Sequence, residues 1–274
     1  MYRLPNYSFA SLLGLILALF FSSCELVEKE NPLVVKEPIS GFTTYYGPAT
    51  KMGNGKIQSF VTYNKARKPI AFGIKMNEKS LENLPTGSHA HGSLEYKLKL
   101  PNQAATLPYK HIVVDWAPEG HQPEGIYDLP HFDIHFYTIS EAEREQITGL
   151  TPDQMDTEIP LAKYLPENYI QLPGRVPKMG VHWMNPLGPE FQGETFTKTL
   201  IYGTSKSKVA FLEPMITLDY IKSKPNAYTE IPQPEAVEES GYYPKKYYVG
   251  YDTERKEYVI YLSDFEYLRE DEVN

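Results

Sequence analysis

The sequence predicts a mainly β fold, an antiparallel β-sandwich or barrel with one or two short helices and long loops. Three observations predict it. The 22 tyrosines and 12 phenylalanines suit pleated, half-buried surfaces. The 23 prolines and 18 glycines cut the chain into short runs. Several of those runs alternate apolar and polar residues with a period of two, as a strand with one face on a core does.

The elements follow in order. Residues 55–64, GKIQSFVTYN, alternate as a strand, and 70–76, IAFGIKM, answer them across the turn KARKP. A short helix is expected over 77–84, with Leu81 and Leu84 on one side and Pro85 as its stop. Residues 93–100 place Leu94, Tyr96, Leu98 and Leu100 on one strand face, and 111–116, HIVVDW, read as a more central strand. PHFDIHFY, residues 130–137, is a further strand, with Phe132, Ile134 and Phe136 directed into the core. Ser140 and Glu143 have the spacing of a capping box, which starts a helix reaching about Ile147. Five prolines between 149 and 177 mark a long loop-rich excursion, and loops of that length usually cover something or contact a partner. Strands are then expected at 179–184, 194–203 and 208–221, a loop to about Ser240, and a C-terminal hairpin over 243–265.

Two segments precede this single β-rich domain, assigned to residues 41–274. Residues 1–24 read as an export signal: Arg3 is their only charge, and FASLLGLILALFF, residues 9–21, has the length of a signal core and falls short of a spanning helix. Cys24, the one cysteine of the chain, follows Ser22 and Ser23. That arrangement resembles a bacterial lipoprotein signal, in which the cysteine becomes an acylated N-terminus. It implies a protein held at a membrane of the cell envelope by acyl chains, with the periplasmic and outer faces both open. Residues 25–40 are charged and contain proline, as a tether does. With no cysteine left to pair, the domain has no internal disulfide.

The chain carries 27 Lys and Arg against 35 Asp and Glu, a net charge of −8, and loses one more positive charge with Arg3. This excludes nucleic acid as a partner, because phosphate binding needs a basic face. There is no Gly-x-Ser-x-Gly elbow, phosphate loop or dinucleotide fingerprint.

The chemistry-bearing residues centre on PHFDIHFY. His131, Asp133 and His135 share one strand face, about 6.5–7 Å apart in succession. That spacing is too wide for all three to ligate one ion equally. His131 with Asp133, or Asp133 with His135, can bind one ion if other segments complete the shell. His182 in MGVHWM, His121 in the GHQPEG loop and Glu213 in FLEPM are the candidates to complete it. Mixed imidazole and carboxylate ligands suit a divalent zinc, manganese or ferrous ion. The alternative is a structural hydrogen-bond network in which Asp133 holds the tautomers of its neighbours. SHAHG, residues 88–92, reads as an exposed loop, and His111 as a satisfied residue at a strand boundary.

The run VDWAPEGHQPEGIYDLPHFDIHFY, residues 114–137, resembles the signature of a bacterial family of secreted proteins of unknown function, one of whose members is under sigma-E control in Thermus. Segments YYGPATKMGNGKIQSFVTYN, KPIAFGIKM, LENLP, MGVHW, TLIYG and LEPMIT extend the resemblance over about residues 42–221. It implies an exported β-rich protein, leaves assembly as a homo-oligomer open, and supplies no reaction. The export reading predicts that Cys24→Ala abolishes globomycin-sensitive processing and membrane fractionation. A variant that still partitions with membranes contradicts it.

Overall fold

A computed structural model describes residues 41–86 and 94–271. The signal, Cys24, the tether and SHAHG lie outside the described residues. The chain begins there with β1 (Phe42–Tyr46), β2 (Thr50–Met52), β3 (Gly55–Asn64) and β4 (Pro69–Asn77), followed by β5 (Glu95–Leu98), β6 (His111–Ala117) and β7 (His131–Tyr137). A helical turn α1 (Glu141–Glu145) precedes the long excursion, which contains β8 (Ile170–Gln171) and leads to β9 (Val181–Met184). The rest is β10 (Lys198–Ser205), β11 (Lys208–Thr217), α2 (Leu218–Lys222), β12 (Asn226–Glu230), β13 (Gly241–Asp252) and β14 (Glu257–Leu268).

These strands form two seven-stranded antiparallel sheets. One has the order β1-β3-β4-β14-β13-β12, with β2 also on β3. The other has the order β5-β6-β7-β11-β10-β9-β8. Both sheets have open ends, so the architecture is a sandwich and not a closed barrel. The core lies between them. Val61, Phe72, Ile74 and Ile260 from the first sheet meet Ile112, Phe132, Ile134, Phe136 and Ile216 from the second. The Phe72 ring lies 5.6 Å from that of Phe136 and stacks on Tyr109 at 5.4 Å. The period of two in these strands is thus the cause of the layer.

Several expectations shift by a few residues. The helix expected at 77–84 is a 3-10 turn, Glu78–Leu81. The capping box is present: the Glu143 amide donates to the Ser140 hydroxyl and the Ser140 amide to the Glu143 carboxylate. The helix stops at Glu145, short of Ile147. The strand expected to reach Ile221 ends at Thr217, whose hydroxyl caps α2 by accepting the Tyr220 amide. β1, β2, β8 and β12 were not foreseen, and the C-terminal hairpin is longer than 243–265.

The placement of β7 matters most for function. It is an inner strand, paired with β6 on one side and β11 on the other. All seven of its residues are buried, so it is not the half-buried strand its alternation suggested. One face meets the other sheet. The second face, carrying His131, Asp133 and His135, is covered by the segments after β6, after α1 and between β9 and β10. Tyr127, Phe191 and Phe196 from these segments pack on Met184, Ile201 and Met215, and Met179 and Val176 pack on Val113, Tyr137 and Phe211. The long excursion therefore covers the outer face of the second sheet.

Gly203 on β10 makes one of these contacts. A Cβ at this position would overlap the Phe211 ring, which lies flat across the gap. Gly203→Ala is expected to lower stability by about 1–3 kcal/mol through overpacking, read as a lower urea midpoint. An unchanged midpoint would contradict this reading of the glycine.

Candidate metal centre

The six residues singled out in the sequence do assemble on the outer face of the second sheet, but as two groups and not one. His121, His131 and Asp133 bring their ligand atoms within 4.8 Å of one another, and so do His135, His182 and Glu213. The single pocket around the β7 trio is thereby divided, as its spacing required: three alternate side chains in succession along a strand span too far for all of them to share one ion. His131 and Asp133 form one pair, and His135 turns to Glu213 on the adjacent β11.

In the first group, His131 Nε2 stands 3.0 Å from Asp133 Oδ1, and His121 Nε2 stands 3.3 Å from Asp133 Oδ2. The loop before β7 brings His121 to the site, and its ring lies 4.6 Å from that of His131. Each imidazole is oriented from behind. His131 Nδ1 is 2.6 Å from the Leu129 carbonyl, and His121 Nδ1 is 2.7 Å from the Gln122 carbonyl. A carbonyl only accepts, so both Nδ1 atoms carry the donated hydrogen. With Nδ1 as the donor, Nε2 is the nitrogen of each ring that faces Asp133, and in a neutral ring it is the one free to ligate. This is the orientation that histidine ligands of metals adopt when a backbone carbonyl fixes the tautomer.

In the second group, His135 Nε2 lies 3.5 Å from Glu213 Oε1, and His182 Nε2 lies 3.6 Å from Glu213 Oε2. The opposite nitrogen of His135 is 3.1 Å from Asp115 Oδ2. Asp115 was not among the sequence candidates. Its one signal was an acid inside the apolar run HIVVDW. The Phe211 ring packs edge-on against both His135 and His182, at 4.8 and 5.5 Å.

Most of these contacts are within hydrogen-bond distance, yet several of their atoms lack an aligned partner. His131 Nε2, Asp133 Oδ1, both nitrogens of His135, both oxygens of Asp115 and Glu213 Oε2 are buried without an aligned hydrogen bond. Buried polar atoms normally have such a partner. Atoms that instead converge on a common point suit a cation. Ligands about 2.0–2.1 Å from a tetrahedral ion are about 3.3 Å from each other, and the separations of 3.0–3.6 Å fall around that value. Each group supplies two imidazoles and one carboxylate, a donor set that suits zinc, manganese or ferrous iron and leaves a coordination position open.

Charge burial is severe. Asp115 and Asp133 are direct cross-strand partners, and like charges so placed repel. Burial pushes the Asp115 carboxyl up, against the pull of His135. Burial would also raise Asp133, but the His131 and His121 imidazoles hold it well below the usual range. Burial lowers His121, yet the Asp133 carboxylate overcomes it and lifts the ring to about 9. His135 behaves likewise: against burial, Glu213 and Asp115 lift it to about 9. Burial raises Glu213 to about 8, with His135 opposing. The group thus retains protons near neutral pH, which an incoming divalent ion would displace.

His111 differs from expectation. It is buried, stacks on Tyr137 at 4.6 Å, and neither ring nitrogen has an aligned hydrogen bond. Burial, with Arg144 and Lys97 nearby, depresses it to about 4, so it is a neutral core residue and not a satisfied boundary one.

Comparison with known proteins gives one match. Residues 64–116 match the model of the TTHB210-like family, described as hypothetical protein TTHB210. The matched segment runs from the end of β3 through β6. It falls within the region of the family resemblance and contains Asp115, but stops before all six candidate ligands. No curated protein and no solved structure matches the chain.

The shifts give a signed pH prediction for metal-free protein. His121 and His135 have folded values above the ordinary 6.5. Their stabilisation is fully present below pH 6.5 and is lost as pH rises through about 9. Glu213, raised from 4.5 to about 8, keeps its proton in the folded state and acts in the same direction. His111 acts only below this window, where its depressed value costs stability as pH falls from 6.5 towards 4. Chelator-treated protein should therefore show a Tm that falls between pH 6.5 and 9. A flat or rising Tm over that interval would refute these protonation states.

Proposed function

We propose that this protein is an exported, lipid-anchored envelope protein that holds divalent transition-metal ions on the outer face of its second sheet. The observation that carries the reading is the presence of two His-His-carboxylate groups, one with both tautomers fixed by backbone carbonyls and each with buried ligand atoms that lack aligned hydrogen bonds. His135, His182 and Glu213 form one ion site, with Asp115 behind His135 as the carboxylate that orients it. His121, His131 and Asp133 form the other. His121 and His182 are the more exposed members, and ions enter past them. Cys24 supplies the membrane attachment.

A second reading is favoured by one specific observation. Asp133 stands within ion-pair distance of two imidazoles, which as imidazoliums would satisfy it without any ion. The protein would then be a non-catalytic binding or structural envelope component, as a monomer or a homo-oligomer, with the histidines in a structural network.

Elemental analysis separates the two. The metal reading expects about two equivalents of zinc, manganese or iron per chain. His131→Ala should remove one equivalent and His135→Ala the other, with residual binding at the untouched group. Absence of stoichiometric metal after exposure to each ion, or equal content in wild type and both variants, would overturn it in favour of the network.

A further inference from the structure

A cavity of about 300 Å³ opens where one end of the sandwich is closed by the segment between β12 and β13. None of the six candidate ligands lines it. Tyr109, two residues before β6, and Tyr202 and Leu212 from the second sheet form its inner wall, and Tyr243 and Pro244 from β13 complete the lining. Its size lies at the lower end of the range for small-molecule pockets.

The polar groups inside are few, and their state is informative. The Tyr202 hydroxyl donates to the Pro232 carbonyl at 2.7 Å, and the Tyr243 hydroxyl to the Glu239 carbonyl at 2.8 Å. Tyr109 is different. It is 2% exposed, and its ring is fixed by stacking on Phe72 and edge contact with Phe136. Burial raises its phenol well above the ordinary value, with Tyr243 and Tyr202 adding to the shift, and no hydrogen bond relieves it. Its hydroxyl has no hydrogen-bond partner among the described residues, in a wall where the other two tyrosines are satisfied. Lining the cavity, the hydroxyl is left for solvent or for a polar group on a ligand to engage.

The charged residues of the lining stand at the mouth. Lys110, Lys208, Glu143 and Glu239 are exposed and of both signs. The half-buried Glu238 is engaged with the Val209 amide at 3.0 Å. Glu239 and Glu238 act on Tyr243 near the mouth, but no charged group acts on Tyr109, so an ion bound beside Tyr109 would lack a counter-charge. Tyrosine and proline rings offer flat apolar surfaces that suit a planar ring.

We propose that this cavity binds an uncharged aromatic small molecule carrying one hydroxyl or carbonyl group, which hydrogen-bonds to Tyr109. The site is independent of the metal groups, so chelation leaves it intact. Failure of one proposal leaves the other standing.

The test uses residues 25–274, which include every described strand, with 1-naphthol and naphthalene as probes in saturation-transfer NMR and fluorescence titrations. Wild type should bind both saturably at one site, with or without chelator. Tyr109→Phe should weaken 1-naphthol about 2- to 10-fold, the range of one hydrogen bond, and leave naphthalene within 2-fold. Val209→Phe and Val237→Phe fill the cavity from separate positions, and either one that keeps a cooperative melt should abolish binding of both probes. Lack of saturable binding by wild type, equal effects of Tyr109→Phe on both probes, or retained binding in a folded cavity-filled variant would each overturn the proposal.

Discussion

Burial of the Asp133 carboxylate is the constraint on which much of this structure depends. It sits on an inner strand, directly opposite a second aspartate, on a face that no sheet covers. An isolated carboxylate in such a place would be very costly. Two imidazoles flank it, and each is fixed by a backbone carbonyl from the chain just beside it. The segment before β7 has to fold back over the strand to deliver His121. The excursion before β9 has to supply Met179 and Val176, and the segment between β9 and β10 supplies Phe191 and Phe196. Buried Tyr127 and Glu190, 3.2 Å apart, join two of these covering segments. The long loops are therefore the walls of a polar layer and not connectors of arbitrary length.

Two kinds of cation can satisfy this layer, protons and metals. Protons suffice for Asp133, with an imidazole on either side. They suit the Glu213 group less well. There, His135 faces carboxylates at both ring nitrogens, and neither contact is aligned. A divalent ion on the Nε2 side would resolve this arrangement: Glu213 and His182 would join His135 as its ligands, and Asp115 would take the Nδ1 hydrogen. The Asp115 carboxylate would then strengthen His135 as a ligand. The same ion would lower the pKa of a bound water and make a nucleophile available, which is the route by which such a centre could support catalysis.

Much of the frame was legible in the sequence. The strands β3, β4, β6, β7, β13 and β14 follow from alternation and from turn residues, and the start of α1 from the capping box. β1, β2, β8 and β12 were not foreseen. Three of them lie at sheet edges and β2 pairs only with β3, where partners decide the conformation more than local pattern does. The six candidate ligands were visible because a strand fixes which side chains share a face. Their division into two groups was not, because it depends on cross-strand neighbours. His135 reaches Glu213 through the pairing of β7 with β11, and Glu213 reaches His182 through β10 and β9. Asp115 escaped notice because its apolar surroundings read as core, and only the register with β7 shows what it faces.

X-ray absorption at the metal edge of zinc-loaded protein tests the central claim most directly. Two His-His-carboxylate centres predict a first shell of nitrogen and oxygen near about 2.0–2.1 Å, with the outer-shell scattering of two imidazoles per ion. A shell of oxygen alone, without imidazole scattering, would place the zinc elsewhere and contradict the assignment of these histidines as ligands.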